Sequence, residues 1–234
     1  AIAVNSAEGL QAVIDEAVAK GIKVCTFDSD SPASQRLFYV GAKNYNMGYM
    51  CGQRLVELTG GKGKVAALTG MLGAVDLEDR IQGFRDGIAD SDLELVTVLT
   101  GNDDIDKSIE VVEEYTAANP DLDAWFMAGP WTYYSPPESL PELVSWKNAS
   151  PDHHIVTVDF FYPTADYFEA GILDYAVGQS VYNMGYYSVK SLYQAIIGEE
   201  VETEETANGK FVDTGLTEVT PDNWEEVKAG LNPW

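Results

Sequence analysis

The sequence predicts an α/β fold, a doubly wound parallel sheet covered by helices, on three observations. Segments with the helical spacing of apolar residues alternate along the chain with short apolar strands. Several of those strands, such as VAALTG at 65–70 and HIVTV at 154–158, are near-continuous apolar runs, as expected of strands buried on both faces. Apolar residues make up 45% of the 234, enough for a sizeable core in one large or two small domains.

Each element follows in order. EGLQAVIDEAVAK predicts an amphipathic helix over 8–20, with Gly21 where a helix-terminating glycine belongs. IKVCTF, 22–27, reads as the strand after it. A helix over 46–58 leads through the turn GGKG, 60–63, to a strand at 64–69. Helix 78–89 precedes strand 94–100, and helix 104–118 precedes strand 123–128. A helix over 137–147 comes before strand 154–159, and a helix over 163–170 before strand 174–177. Helix 181–197 follows, and the acidic run GEEVETEET, 198–206, reads as a solvated loop.

Ligands of such sheets bind outside the carboxyl ends of the strands, and polar and aromatic groups gather there. Asp28 and Asp30 follow the first strand. TGMLGA ends the second, and Gly101-Asn102-Asp103-Asp104 the third. Gly129-Pro130-Trp131, Asp159-Phe160-Phe161-Tyr162 and Gly178-Gln179 end the next three. Carboxylates accept hydrogen bonds from hydroxyls, an arginine donates back, and an aromatic face stacks on the C–H face of a sugar. The set suits a neutral polyol. The competing role for Asp28, Asp104 and Asp159 is helix capping or turn formation.

Other chemistries fit less well. The net charge of −24 repels phosphate backbones, so a nucleic-acid partner is not expected; the dispersed acid serves solubility. GGKGK lacks the closing Ser/Thr and the spacing of a phosphate loop, and NDDID, 102–106, lacks the glycine of a calcium loop. There is no G-x-S-x-G. Asp28 and Asp30 are local neighbours rather than the opposed carboxylates of a glycosidase. An enzyme is not expected, and no cofactor or metal is called for. His153 and His154 are adjacent on a strand, face opposite ways, and make a poor joint metal site. Cys25 and Cys51 are either buried free thiols or a disulfide, the first being favoured. No apolar run of 18 or more residues is present to span a membrane. AIAVNSAEGL carries no signal-peptide pattern.

CTFDSDSPASQRLFYVGAKNYNMGYMCGQRLVE, KVAALTGMLGAVDLEDRIQGFRDGI and NPDLDAWFMAG together resemble type I periplasmic sugar-binding proteins of the ribose-binding kind. The resemblance covers essentially the whole chain. It implies two α/β lobes joined by three crossings and closing on a sugar, with the first lobe incomplete at its N-terminal side. Mapped onto this sequence, the first lobe is 1–42 plus 180–213, and the second is 43–179 plus 214–234. It implies an acceptor at Asp28, an arginine at Arg80, an aspartate at Asp159 and a hinge-adjacent glutamine at Gln179. Ser29 stands where an arginine is frequent, so Asp30 is expected to substitute. Asp103 stands in place of an aromatic, and Gly129 in place of an asparagine. Trp131 either stacks on the ligand or packs the hinge. Arg80 has an alternative too, as a surface residue paired with Asp79 or Asp76.

The function implied is a monomeric periplasmic or extracellular receptor, with or without a lipid anchor. It would deliver a sugar or polyol to the permease of an ABC-type importer, and a chemoreceptor role overlaps with this. The alternative is the effector domain of a LacI-type transcriptional regulator, which shares the fold. A glycoside-processing enzyme is the third reading.

Overall fold

The computed structural model describes residues 1–231. The elements run α1 (Ala7–Ala19), β1 (Thr26–Phe27), β2 (Tyr39–Gly41), α2 (Asn44–Thr59), β3 (Lys62–Thr69), α3 (Val75–Ile88), β4 (Asp92–Thr100) and α4 (Ile105–Ala118). β5 (Ala124–Met127) leads into two 3-10 turns, Trp131–Tyr134 and Pro137–Ser139, and then α5 (Pro141–Ala149). The chain continues with β6 (His154–Val158), α6 (Tyr162–Glu169), β7 (Tyr175–Gln179) and α7 (Val181–Ile197). It ends with β8 (Glu204–Thr206), β9 (Gly209–Asp213), β10 (Leu216–Val219) and α8 (Trp224–Gly230). The tail assigned to the second lobe, 214–234, thus ends in three residues that lie outside the described ones.

The described residues form two compact units. The first takes Ala1–Lys43, Ala74–Asp76 and Gln179–Leu216; the second takes Asn44–Gly73, Leu77–Gly178 and the chain from Thr217 onward.

In the first unit a four-stranded sheet has the order β1-β2-β9-β8. β1, β2 and β9 are parallel, and β8 closes an antiparallel hairpin on β9. Ser6 starts α1 by accepting the Gly9 N–H on its Oγ, and Ile14 anchors the helix beside Val4 and Val24.

In the second unit the six-stranded sheet has the order β10-β7-β6-β5-β3-β4, with β4-β3-β5-β6-β7 all parallel. By chain order those five read 2-1-3-4-5, the flavodoxin-like winding, whose switch point lies between β3 and β5. Burial on both faces explains their apolar runs: Ala124–Met127 and Val65–Leu68 are all inaccessible.

Three expectations change. The strand expected over 22–27 shrinks to Thr26–Phe27, because β2 offers only a short ladder; Cys25 is buried outside it and Ile22 is exposed. The helix expected over 137–147 breaks at Leu140, since Pro141 brings no N–H and restarts the helix at its own first position. The acidic run 198–206 ends in a strand, β8, whose exposed glutamates keep an edge strand from pairing further.

Both cysteines are free and buried. The two histidines go separate ways: His153 stacks on Trp146 with centroids 4.3 Å apart, while His154 Nδ1 lies 3.5 Å from Asp174 Oδ2. Among the described residues no cluster of His, Cys, Asp or Glu could hold a metal ion, and no helix is long and apolar enough to cross a membrane.

Asp174 fastens the start of β6. Lys147 Nζ donates to both its oxygens (2.9 and 2.7 Å), and the Ile155 N–H donates at 2.8 Å. Burial alone would raise the carboxyl's pKa, but His154, the Lys147 ammonium and the Ile155 N–H outweigh it, and the group titrates below its ordinary range. A depressed folded-state pKa contributes stability above the unfolded value, about 3.9, and loses it as pH falls through the folded one. Asp174→Asn is expected to be less stable than the wild type at neutral pH by about 3 kcal/mol, since it strands a buried lysine. The gap should narrow in acid, as read from urea midpoints. A constant gap across that range would contradict the assignment.

Candidate functional site

The backbone singles out the strand ends before any side chain is considered. Among the described residues, the non-glycines with left-handed backbone are Asp28 (φ 62°), Asn102 (φ 55°), Asp103 (φ 58°) and Asp159 (φ 78°). Asp28 follows β1, Asn102 and Asp103 follow β4, and Asp159 follows β6. Asn and Asp tolerate this region best, yet each such residue costs about 1–3 kcal/mol and persists only where its surroundings fix it. Such strain clusters at functional sites. Capping holds for Asp104, the cap of α4, which accepts the Lys107 N–H at 2.8 Å, whereas α6 starts from Phe161 without a side-chain cap.

In the second unit the structure brings Arg80 and Asp159 together. Arg80 is 5% exposed, not a surface residue. Its Nε donates to Asn44 Oδ1 (2.9 Å) and its Nη1 to the Ala128 carbonyl (2.8 Å). Nη1 lies 3.6 Å from Asp159 Oδ2, an ion pair just beyond hydrogen-bond range. Two bonds fix the plane of the guanidinium, and a planar fork of five N–H groups has donors to spare for a ligand oxygen.

Close packing holds Arg80 there. Gly48 and Gly52 of α2 face Gly83 and Gly87 of α3, and a Cβ on Gly48 would overlap the Arg80 carbonyl oxygen. Gln53 and Tyr45 tie the helices further, donating to the Gly87 carbonyl and to Asp86.

Trp131 sits at the switch point, against the strand-end glycines. A Cβ on Gly129 would come 2.6 Å from its Cη2, and one on Gly70 would overlap both its Cζ2 and Asp103 Oδ1. The indole, Asp103 and the two strand-end glycines are therefore one cluster. Tyr134 and Phe161 form an aromatic pair at 5.1 Å from the loops after β5 and β6.

The first unit places Asp28 and Asp30 differently. The Asp28 carbonyl accepts the Tyr39 hydroxyl at 2.6 Å, which holds the left-handed turn. The Asp30 carboxylate is engaged within the protein. Both its oxygens are bound by the Arg36 fork, and Oδ1 also accepts the Ser31 N–H (2.8 Å). Arg36 in turn donates to the Asn208 carbonyl (2.9 Å), so Asp30 secures the β8–β9 hairpin. Ser29 Oγ accepts the Val4 N–H at 3.1 Å. Gln179 closes β7, and Ser180 after it caps α7.

A family model described as the periplasmic binding protein domain matches residues 1–200. The chain belongs to that family. A ribose import binding protein, RbsB of Bacillus subtilis (strain 168), is 29% identical over 122 residues; the match spans 52% of this chain and 40% of the relative. The ABC transporter solute-binding protein of Burkholderia graminis C4D1M, solved with D-arabinose, superposes with a TM-score of 0.83 at 30% identity. It matches 95% of this chain and 75% of its own. GanP, a glucose-galactose binding protein of Geobacillus stearothermophilus, gives 0.82 at 25% identity, over 94% and 75%. These names are all those of binding proteins, as is the family's.

Sequence reasoning missed Asn44, Gly70 and the Ala128 carbonyl. Only the fold puts Asn44 within reach of an arginine 36 residues away.

Proposed function

We propose that this protein is the solute receptor of an ABC-type importer, capturing a sugar or polyol and presenting it to a permease. The observation that carries the proposal is the buried Arg80, held by Asn44 and the Ala128 carbonyl beside Asp159 at the carboxyl edge of a parallel sheet. A donor fork next to a carboxylate pairs with vicinal hydroxyls, which both donate and accept. Relatives named for ribose import, D-arabinose and glucose-galactose support the same ligand class. Arg80 donates to the ligand, Asp159 and Asp103 accept, and Trp131 stacks on it. Asp28 and Gln179 are further sugar-binding groups, while Asp30 positions the segment behind Asp28. The lobes are 1–42 plus 180–213 and 43–179 plus 214–234. The receptor acts as a monomer in the periplasm or outside the cell, with or without a lipid anchor. Binding shifts the population toward a closed form, which the permease recognises.

A thermal-shift panel of pentoses, hexoses and polyols on the intact protein tests this. Ligand at a hundredfold excess over Kd protects by about 2.7 kcal/mol, a rise in melting temperature of about 5–10 °C for a chain of this size. One sugar or a related group should produce it, with no turnover. A panel without any shift would refute the reading.

A further inference from the structure

A groove of about 590 Å³ opens within the first unit, between the loop that joins β1 to β2 and the β8–β9 hairpin. None of the residues lining it belongs to the sugar site proposed above. Pro32 and Leu37 form an apolar wall, and Glu205, Gly209 and Lys210 face the groove from the hairpin. Arg36 lines it too, although its side chain is only 4% exposed. Asp30 takes the Nε and Nη2 side of the guanidinium, and Nη2 also serves the Asn208 carbonyl. Nη1 points the other way. Among the described residues it has no hydrogen-bond partner, yet it is not sealed from solvent. It lies against Gly209, where a Cβ would come within 3.7 Å of it. Gly209 has a φ of 90°, a conformation that favours glycine, so the turn leaves this edge of the guanidinium uncovered. Glu205 and Lys210 are register partners on the antiparallel hairpin, and their side chains share one face. Among the described residues neither makes an ion pair.

We propose that this groove is a second binding site, for a small zwitterion of the α-amino acid class. Asp30 already balances Arg36, so the groove offers a donor edge and one unpaired charge of each sign. A lone anion would meet Glu205 and the field of a chain of net charge −24. A lone cation would meet Lys210 and the guanidinium. A molecule that carries both charges and no net charge suits all three groups and feels no long-range repulsion. Its carboxylate takes the Nη1 and Lys210 donors, as charge-assisted bonds to a planar edge that fix its orientation. Its ammonium faces Glu205, and its side chain lies on Pro32 and Leu37. The volume falls in the range of small-molecule sites, about 300–1,000 Å³, and favours a large apolar side chain over a small one.

The test is a backbone-amide NMR titration of the intact protein with L-phenylalanine and L-methionine. Acetate, methylammonium and D-glucitol serve as probes carrying the anion alone, the cation alone and no charge. The amino acids should shift the amides of Ser34 to Leu37 and of Glu205 to Lys210, with a Kd of about 1 mM for so open a groove. Each of the other three probes should bind there at least about tenfold more weakly. Glu205→Gln and Lys210→Met change exposed side chains and should leave the melting temperature as it is. Each should weaken the amino acids by about fivefold, the most that an exposed charge contact supplies. Arg36→Lys keeps a charge for Asp30 but has no second edge, and a folded variant should show no binding. The proposal fails if neither amino acid shifts these amides at about 10 mM. It fails equally if acetate or D-glucitol binds them as tightly, or if Glu205→Gln and Lys210→Met both bind as the wild type does. The sugar-receptor reading stands in each of those cases, because it draws on none of these residues.

Discussion

Arg80→Ala should lower sugar affinity by at least about a hundredfold, some 3 kcal/mol, the penalty typical of removing one partner of a buried charge pair. In the proposed site the side chain supplies the donors, and it also pairs with Asp159, whose side chain is only 14% exposed. Removing it leaves Asp159 partly desolvated beside an empty guanidinium site, ill placed to accept from a hydroxyl. Arg80→Lys should recover little, because a point charge cannot bond Asn44 and the Ala128 carbonyl at once and still offer a planar edge. Asp159→Ala should lose as much. Affinity is read by calorimetry and folding by thermal melting without ligand, so that lost binding is separated from lost structure. Folded variants of Arg80 and Asp159 that bind as the wild type does would sink the site assignment.

The two halves of this pair were not equally legible in the sequence. Asp159 could be placed because HIVTV is a strand whose period and apolarity leave little choice, and the next residue must then stand at its carboxyl end. Arg80 lies inside an amphipathic helix, where half a turn of rotation separates a solvated arginine from a buried one. Periodicity alone left a surface pairing with Asp76 or Asp79 as an alternative. Asp30 shows the opposite limit. Its place at a strand end was read correctly, but Arg36 lies only six residues on and engages both its oxygens, a pairing that no strand or helix period encodes. The same blindness to facing surfaces affected α7: its extent matches the expected 181–197, yet Ser188 and Ser191 are buried while Val189, Tyr193 and Ile196 face outward. Small hydroxyl side chains let a helix approach a sheet closely, and an apolar count cannot report that.

What holds Arg80 in place gives the second large expectation. Gly48→Ala should destabilise the protein by about 1–3 kcal/mol, whereas Gly185→Ala should stabilise it by up to about 1 kcal/mol. Both glycines sit in helices, α2 and α7, and alanine is the better helix former at either, so propensity alone predicts two gains. The surroundings decide otherwise. A Cβ on Gly185 meets nothing within 4 Å. One on Gly48 would overlap the backbone carbonyl of Arg80, and the neighbouring positions are also tight: a Cβ on Gly52 comes 2.7 Å from the Phe84 oxygen, and one on Gly87 comes 2.6 Å from the Tyr49 oxygen. Backbone on both sides cannot swing aside as a flexible side chain would, so α3 must shift as a body. Each kcal/mol moves the melting temperature by about 2–4 °C in a chain of this length, enough to separate a loss from a gain. Because the obstructed atom belongs to Arg80, Gly48→Ala should also weaken sugar binding beyond its effect on stability, and Gly185→Ala should leave affinity unchanged. A Gly48→Ala protein stabilised as much as Gly185→Ala would mean that the helices do not meet at their backbones, and the fixed position of the guanidinium would lose its physical cause.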